Sequence, residues 1–202
     1  MFCWSVWKSY LQGHNKVQQG DAFAKLQTVC CSSARLQIAL LSEDDRALYC
    51  SLMTDKASMS YVSSPLSEDK AHRSFDAALK CNQLQQIQRC YFRVVLKSHY
   101  QSIGIASVNQ LNLAKKSAEI GRMLLPQWHS KGLGTELSSM LIRWLAAEWG
   151  ITTITKQIQA ANLAAVFSAQ KLGFTKVVSQ SCTASLTEQY QLKLAPSTLD
   201  VK

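Results

Sequence analysis

The chain has 202 residues, enough for one well-buried domain and short for two. Its 47% hydrophobic content is that of a globular protein, and 22 Lys and Arg against 13 Asp and Glu leave a formal charge of +9. That excess suits an anionic partner, but the basic residues form no run of five and no aromatic interleaving, so a dedicated nucleic-acid surface is not expected.

Seven cysteines form no CxxC pair, and Cys30 and Cys31 are adjacent, which suits neither an ordinary disulfide nor a zinc site. They read as small buried hydrophobes in a reducing compartment. His14, His72 and His99 are spread without ligand spacing, so no metal is expected. No apolar run is long enough to span a bilayer, and "MFCWSVWKSYLQGH" lacks the pattern of a signal peptide. The expectation is a cytoplasmic protein without a membrane partner.

In chain order, residues 1–34 read as an N-terminal extension and 35–202 as one domain. Within the extension, Cys3, Trp4, Trp7, Tyr10 and Leu11 fall at helical spacing, forming a face for the core or for a second copy in a homodimer. Gly13 to Asp21 reads as a linker. "RLQIALLS" (Arg35 to Ser42) is a strand, followed by a helix capped by Ser42. A second helix follows Ser67, with Ala71, Phe75, Ala78 and Leu79 as its buried stripe. "CYFRVVLKS", "SIGIASVNQL" and "SAEIGRMLL" then read as an antiparallel meander.

After Pro126, Leu133, Leu137, Met140, Leu141, Trp144 and Leu145 mark an amphipathic helix ending at Gly150. "ITTITKQI" is a strand, a short helix runs from Asn162 to "KLGF", and strands near Thr175 to Ser179 and Leu186 to Leu194 close the chain. The fold class is α/β, with a mixed sheet and a helix crossing between two of its strands.

The residues between the third meander strand and its helix, "LLPQWHSKGLGTE", carry the chemical signal. A helix N-terminus offers unpaired N–H groups and the positive end of a dipole. Gly132 and Gly134 remove side chains that would keep a phosphate from those amides. Lys131 adds charge, and the Thr135 hydroxyl adds a donor. A dinucleotide fingerprint would need glycine at Leu137, and a P-loop would need Gly-Lys-Ser/Thr, which is absent. What remains is the pyrophosphate turn of an acyl-CoA enzyme, or a tight turn with close packing.

Three stretches resemble the GNAT superfamily of acetyl-CoA-dependent N-acetyltransferases: "LQIALLSEDDRALYCSLMTD", "AEIGRMLLPQWHSKGLGTE" and "ANLAAVFSAQKLGF". The nearest likeness is to the Rim-type branch, which acetylates the N-termini of ribosomal proteins. The resemblance implies a mostly antiparallel GNAT-like sheet flanked by helices, with a V-shaped gap between its fourth and fifth strands. It implies a pantetheine arm along the backbone of Met123, Leu124 and Leu125, and a pyrophosphate on Lys131, Gly132, Leu133, Gly134 and Thr135. Asn162 would lie near the thioester.

There are departures from the family pattern. His129 stands where the loop usually begins with Gln or Arg, and Ser130 where Gly is frequent. Ala165 replaces a common Ser, and Ala169 replaces the Tyr that protonates the leaving thiolate in many members.

Amide formation from a thioester requires a base for the amine, a donor for the oxyanion and a proton for the thiolate. Glu119 is the first candidate base, set against an ordinary structural carboxylate on a strand. His129 is the second, set against a plain loop residue. Ser168, beside Ala169, and solvent water are the alternatives for the proton donor. No base-activated nucleophile is evident, which favours direct transfer. The sequence reading is therefore an acetyl-CoA-dependent acetyltransferase acting on a protein N-terminal amine. Its rivals are a small-amine acetyltransferase and a non-catalytic acyl-CoA-binding module.

Overall fold

A computed structural model of the protein describes residues 31–83, 88–177 and 187–195. The helical face and linker read within residues 1–30 lie outside the described residues.

Eight strands form one sheet in the order β1-β2-β3-β4-β5-β6-β8-β7. They are β1 (Cys31–Ser32), β2 (Leu36–Leu40), β3 (Cys90–Leu96), β4 (Gln101–Asn112), β5 (Ser117–Leu124), β6 (Thr153–Gln159), β7 (Thr175–Lys176) and β8 (Thr187–Lys193). Every neighbouring pair is antiparallel except β5 and β6, which run parallel. The fourth and fifth strands of the sequence reading are thus β5 and β6. The short β1, which the sequence did not signal, adds one strand at the edge, just upstream of Arg35.

Alternation within the strands divides the core into two layers. Ile38, Phe92, Val94, Ala118, Ile120 and Ile154 face one side, against α4 (Leu133–Trp149) and α5 (Leu163–Lys171). On the other side Ile105 and Met123 meet α1 (Arg46–Thr54) and α3 (Glu68–Asn82) through Tyr49, Leu52 and Phe75. Asn82, at the end of α3, donates through Nδ2 to the Tyr91 carbonyl and accepts from the Tyr91 N–H, both at 2.8 Å. That buried amide fastens the helix to β3.

Some local expectations needed correction. The helix read from Ser42 begins as a 3-10 turn, Glu43–Asp45, because the Asp45 carboxylate folds back to accept from the Ser42 N–H at 2.9 Å. Ser67 holds the N-cap position of α3, but its hydroxyl makes no capping bond. An extra helix, α2 (Lys56–Met59), is nucleated by Asp55, whose carboxylate accepts from the Ser58 N–H at 2.6 Å. The strand near Thr175 stops at Lys176, and residues 178–186 lie outside the described residues.

The long helix α4 follows its signal closely. Leu133, Leu137, Met140, Leu141 and Leu145 are buried, and Gly150 ends it in the left-handed region at φ 63°. Its start is braced across the chain. The Glu136 carboxylate accepts from the Ser33 hydroxyl at 2.7 Å and the Arg35 N–H at 2.9 Å, and from the Arg35 guanidinium at 2.7 Å. Arg35 Nη1 also donates to the Lys131 carbonyl at 3.1 Å. One arginine therefore ties both ends of the glycine turn to the segment entering β2. The helix dipole, the simpler account of Glu136, is the smaller part of its role.

Burial raises the pKa of the Glu136 carboxyl, and the Ser33 and Arg35 donors more than offset this, leaving it below its ordinary 4.5. A depressed carboxyl contributes stability above its unfolded pKa, and that contribution is lost as pH falls through the folded value. Glu136→Gln is expected to cost about 1–3 kcal/mol near neutral pH. In urea unfolding, the gap between variant and wild type should close on acidification below about pH 4. A gap independent of pH would show that packing, not the carboxylate, braces the turn.

Candidate functional site

β5 and β6 pair over only three positions, Ser117 with Thr153, Ala118 with Ile154 and Glu119 with Thr155. Beyond Glu119 the strands part, while β4 holds β5 to Leu124 and β8 holds β6 to Gln159. The β6-facing edge of β5 from Ile120 onward therefore lacks a strand partner. At its far end, His129 Nε2 lies 2.8 Å from the Leu124 carbonyl oxygen. His129 is thereby drawn toward the strand, along which Met123, Leu124 and Leu125 run.

The loop after β5 turns tightly into α4. Ser130 has φ 60° and Gly132 has φ 74°, both in the left-handed region. Gly132 adopts that geometry freely, whereas Ser130 does so at a steric cost. The first α-helical bond at this end runs from the Glu136 N–H to the Gly132 carbonyl, at 3.1 Å. The amides of Leu133, Gly134 and Thr135 are left without helical partners. Exposed Lys131 places its Nζ 4.7 Å from the centre of the Trp128 ring. Trp128 Nε1 is itself a buried donor without a partner among the described residues.

Gly134 lies against a side chain that the sequence did not place there. A Cβ there would lie 2.7 Å from Arg122 Nε and 3.2 Å from its Cζ. The guanidinium passes directly beneath the turn. Its Nη1 donates to the Ser138 hydroxyl at 2.8 Å and its Nη2 to the Ser168 hydroxyl at 3.1 Å. Ser168 is also 2.9 Å from the Thr135 hydroxyl. From β6, Lys156 Nζ donates to the same Ser138 hydroxyl at 2.8 Å. Burial lowers the Arg122 pKa to about 10, and burial together with Arg122 holds that of Lys156 well below its ordinary value.

Glu119 occupies the opposite face of the sheet, at the apex where the strands part. Its neighbours Asn109 and Gln110 lie on β4, with Gln157 on β6; Gln110 Nε2 donates to its carboxylate at 3.4 Å. Burial raises its pKa, against the lowering effects of Gln157, Arg89 and Asn109. Glu119 and Ser168 thus lie on opposite faces of the gap, one toward α1 and α3, the other toward α4 and α5.

Asn162 caps α5, its side-chain oxygen accepting from the Ala165 N–H at 3.1 Å. Ala169 is fully buried and its carbonyl accepts from the Phe174 N–H at 3.1 Å. Arg122 and Lys156 escaped the sequence reading. The one available signal was an arginine in the row of β5 that otherwise carries Ala118, Ile120 and Leu124. No described helix is long and apolar enough to cross a membrane.

Among curated proteins, none matches the chain. Similar solved structures share its fold. A ribosomal-protein N-acetyltransferase, RimL, in complex with coenzyme A is 16% identical, with a TM-score of 0.70 over 83% of this chain and 98% of that one. A spermidine N-acetyltransferase from Vibrio cholerae, with coenzyme A and spermine, is 17% identical, with a TM-score of 0.67 over 83% and 99%. An enzyme from Salmonella typhimurium, described as modifying the N-terminal serine of a 50S ribosomal-subunit protein, is 16% identical, with a TM-score of 0.68 over 81% and 97%. The family model described as an acetyltransferase (GNAT) domain matches residues 35–175, from Arg35 at the entry to β2 past the parted strands to Thr175 at the start of β7, and the chain belongs to that family.

Proposed function

We propose that the protein moves an acetyl group from acetyl-CoA directly to the N-terminal amine of another protein, in the cytoplasm. The observation that carries this reading is the parting of β5 and β6 beside a turn with three free helix amides. The residues present fit the donor. An unpaired strand edge suits the amide-bearing pantetheine arm, and the Lys131–Thr135 turn suits a pyrophosphate.

Acetyl-CoA supplies an activated acyl thioester; the chain has to bind it, orient the amine and manage protons. A backbone N–H of the parted β5 edge serves as the oxyanion donor. Glu119, half-buried at the apex with a raised pKa, takes the amine proton directly or through water. Asn162, by capping α5, holds Ser168 in place beneath the turn. The thiolate, a tolerable leaving group, takes its proton from water, with Ser168 as the side-chain alternative. Burial raises the thiols of Cys31 to about 12 and of Cys90 further, which disfavours a covalent acetyl-cysteine route through either. The free thiols at Cys31, Cys50, Cys81 and Cys90 suit a reducing compartment.

Charge favours a protein acceptor over a polyamine. A chain of net charge +9 repels a polycation and draws in an acidic protein, and Arg89 adds positive charge near Glu119. Free-thiol release should be measured with peptides bearing free α-amines, spermidine and single amino acids. Acidic-tailed peptides are expected to be the best acceptors, with kcat/KM falling as salt rises. Preference for spermidine over every peptide would sink the protein-acceptor reading, and no turnover with bound cofactor would make the chain a binding module.

Glu119→Gln should lower kcat by roughly 10²-fold or more. Because the carboxyl must be ionised to act and its pKa is raised, the acidic limb of the wild-type profile should lie above the usual carboxylate range and vanish in the variant. Ser168→Ala should cost less than about tenfold, since water can replace it. A near-normal rate and profile for Glu119→Gln would return that residue to a structural role.

A further inference from the structure

The Arg122–Lys156 cluster has a feature that the acetyl-transfer reading does not use. Two basic side chains reach from the parted strands to one hydroxyl, that of Ser138, in the second turn of α4. Among the described residues, no carboxylate lies within ion-pair distance of either. Both make their described hydrogen bonds to serine hydroxyls alone. Elsewhere in the described structure buried or bridging charges are matched, as Arg35 is by Glu136 and Arg93 by Asp45. Lys156 is buried, with the centre of the Phe174 ring 5.3 Å from its Nζ, and Arg122 is half-buried. Cations so held by hydroxyls without a carboxylate cost the fold, because hydroxyl dipoles recover only part of their hydration.

The charge is also aimed. Arg122 lies against Gly134, so close that a methyl group at Gly134 would strike the guanidinium. The Ser168 hydroxyl that it holds is in turn bonded to the Thr135 hydroxyl, in the same helical turn as the three free amides. The absence of a Cβ at Gly134 therefore brings a fixed positive charge up beneath the surface on which an anion would rest.

We propose that Arg122, braced by Ser138 and Ser168 and seconded by Lys156, is the half-buried counter-charge for the diphosphate bound at the glycine turn. This rests on the acetyl-CoA reading and deepens it, making Arg122 a positioning residue that acts through the turn. Lys131 is exposed to water, where its charge is screened; Arg122, half-buried against the turn, is screened less. The cost of burying the cation in the free chain is recovered when the anion arrives.

Calorimetric affinities test this on the full chain with coenzyme A, with 3′-dephospho-coenzyme A and with pantetheine. The first two carry the diphosphate and the third carries no phosphate. Arg122→Met is expected to weaken both diphosphate ligands by about tenfold or more and by the same factor, with pantetheine affinity unchanged within about twofold. Arg122→Lys should recover most of the loss. Should the Met variant fail to fold, Arg122→Gln, which keeps a donor for the serines without the charge, carries the same expectations. The coenzyme-A-induced rise in Tm should shrink in the neutral variants. Unchanged coenzyme A affinity in a folded neutral variant would overturn the proposal, as would a parallel loss of pantetheine. If the unsubstituted chain takes up no coenzyme A, the acetyl-CoA reading falls first; binding by wild type with no effect of Arg122 overturns this assignment alone.

Discussion

The parting of β5 from β6 is the constraint on which the rest of the molecule depends. Each strand is fastened along its outer side by a long antiparallel partner, β4 or β8, and the two share only three parallel pairs. Parallel pairing is the weaker of the two, so the sheet divides there rather than elsewhere. The side chains change at the same point. Where the strands touch, the row facing α4 carries Ala118 and Ile154; where they separate, it carries Ile120 and Arg122 on β5 and Lys156 and Ile158 on β6. Two like charges converging on one serine oppose close approach of the strands that carry them.

That division gives the gap two unlike walls. Toward α4 and α5 it is basic and hydroxyl-rich, with the helix amides, Arg122, Ser138, Thr135 and Ser168. Toward α1 and α3 it offers Glu119 with Asn109 and Gln157 about it. An anionic acyl donor suits the first wall, and an amine that must lose a proton suits the second. A reaction in which donor and acceptor meet across the sheet needs no acyl-enzyme. The walls thus agree with direct transfer for a reason independent of cysteine reactivity.

Much of the architecture was legible because it rests on periodicity. The alternation of "CYFRVVLKS" and the stripe of Leu133, Leu137, Met140 and Leu141 each specify an element and the face it buries. What escaped depends on partners far apart in sequence. Nothing near Glu136 announces Ser33 or Arg35, about a hundred positions upstream, so an acid in a first helical turn reads as a dipole effect. Likewise α2 rests on Asp55 capping a helix too short to show a period. The absence of a tyrosine at Ala169 was legible, but the burial of that position was not.

The glycine turn shows how one residue can answer to a partner that the sequence does not place beside it. Two glycines before a helix suggest space left on the solvent side for a ligand. Gly132 also serves the turn through its positive φ, and on the inner side a Cβ at Gly134 would crowd Arg122. The clue was the break in pattern in "AEIGRMLL", an arginine in a row of Ala118, Ile120 and Leu124. Local rules fail where a chain accepts an unfavourable group, and such groups persist when something outside the apo fold compensates for them. Arg122 is a charge on a core-facing row, with no acid opposite it among the described residues. The same sheet carries ordinary buried residues at every neighbouring core position, which confines the exception to the one place where the strands separate and the helix begins.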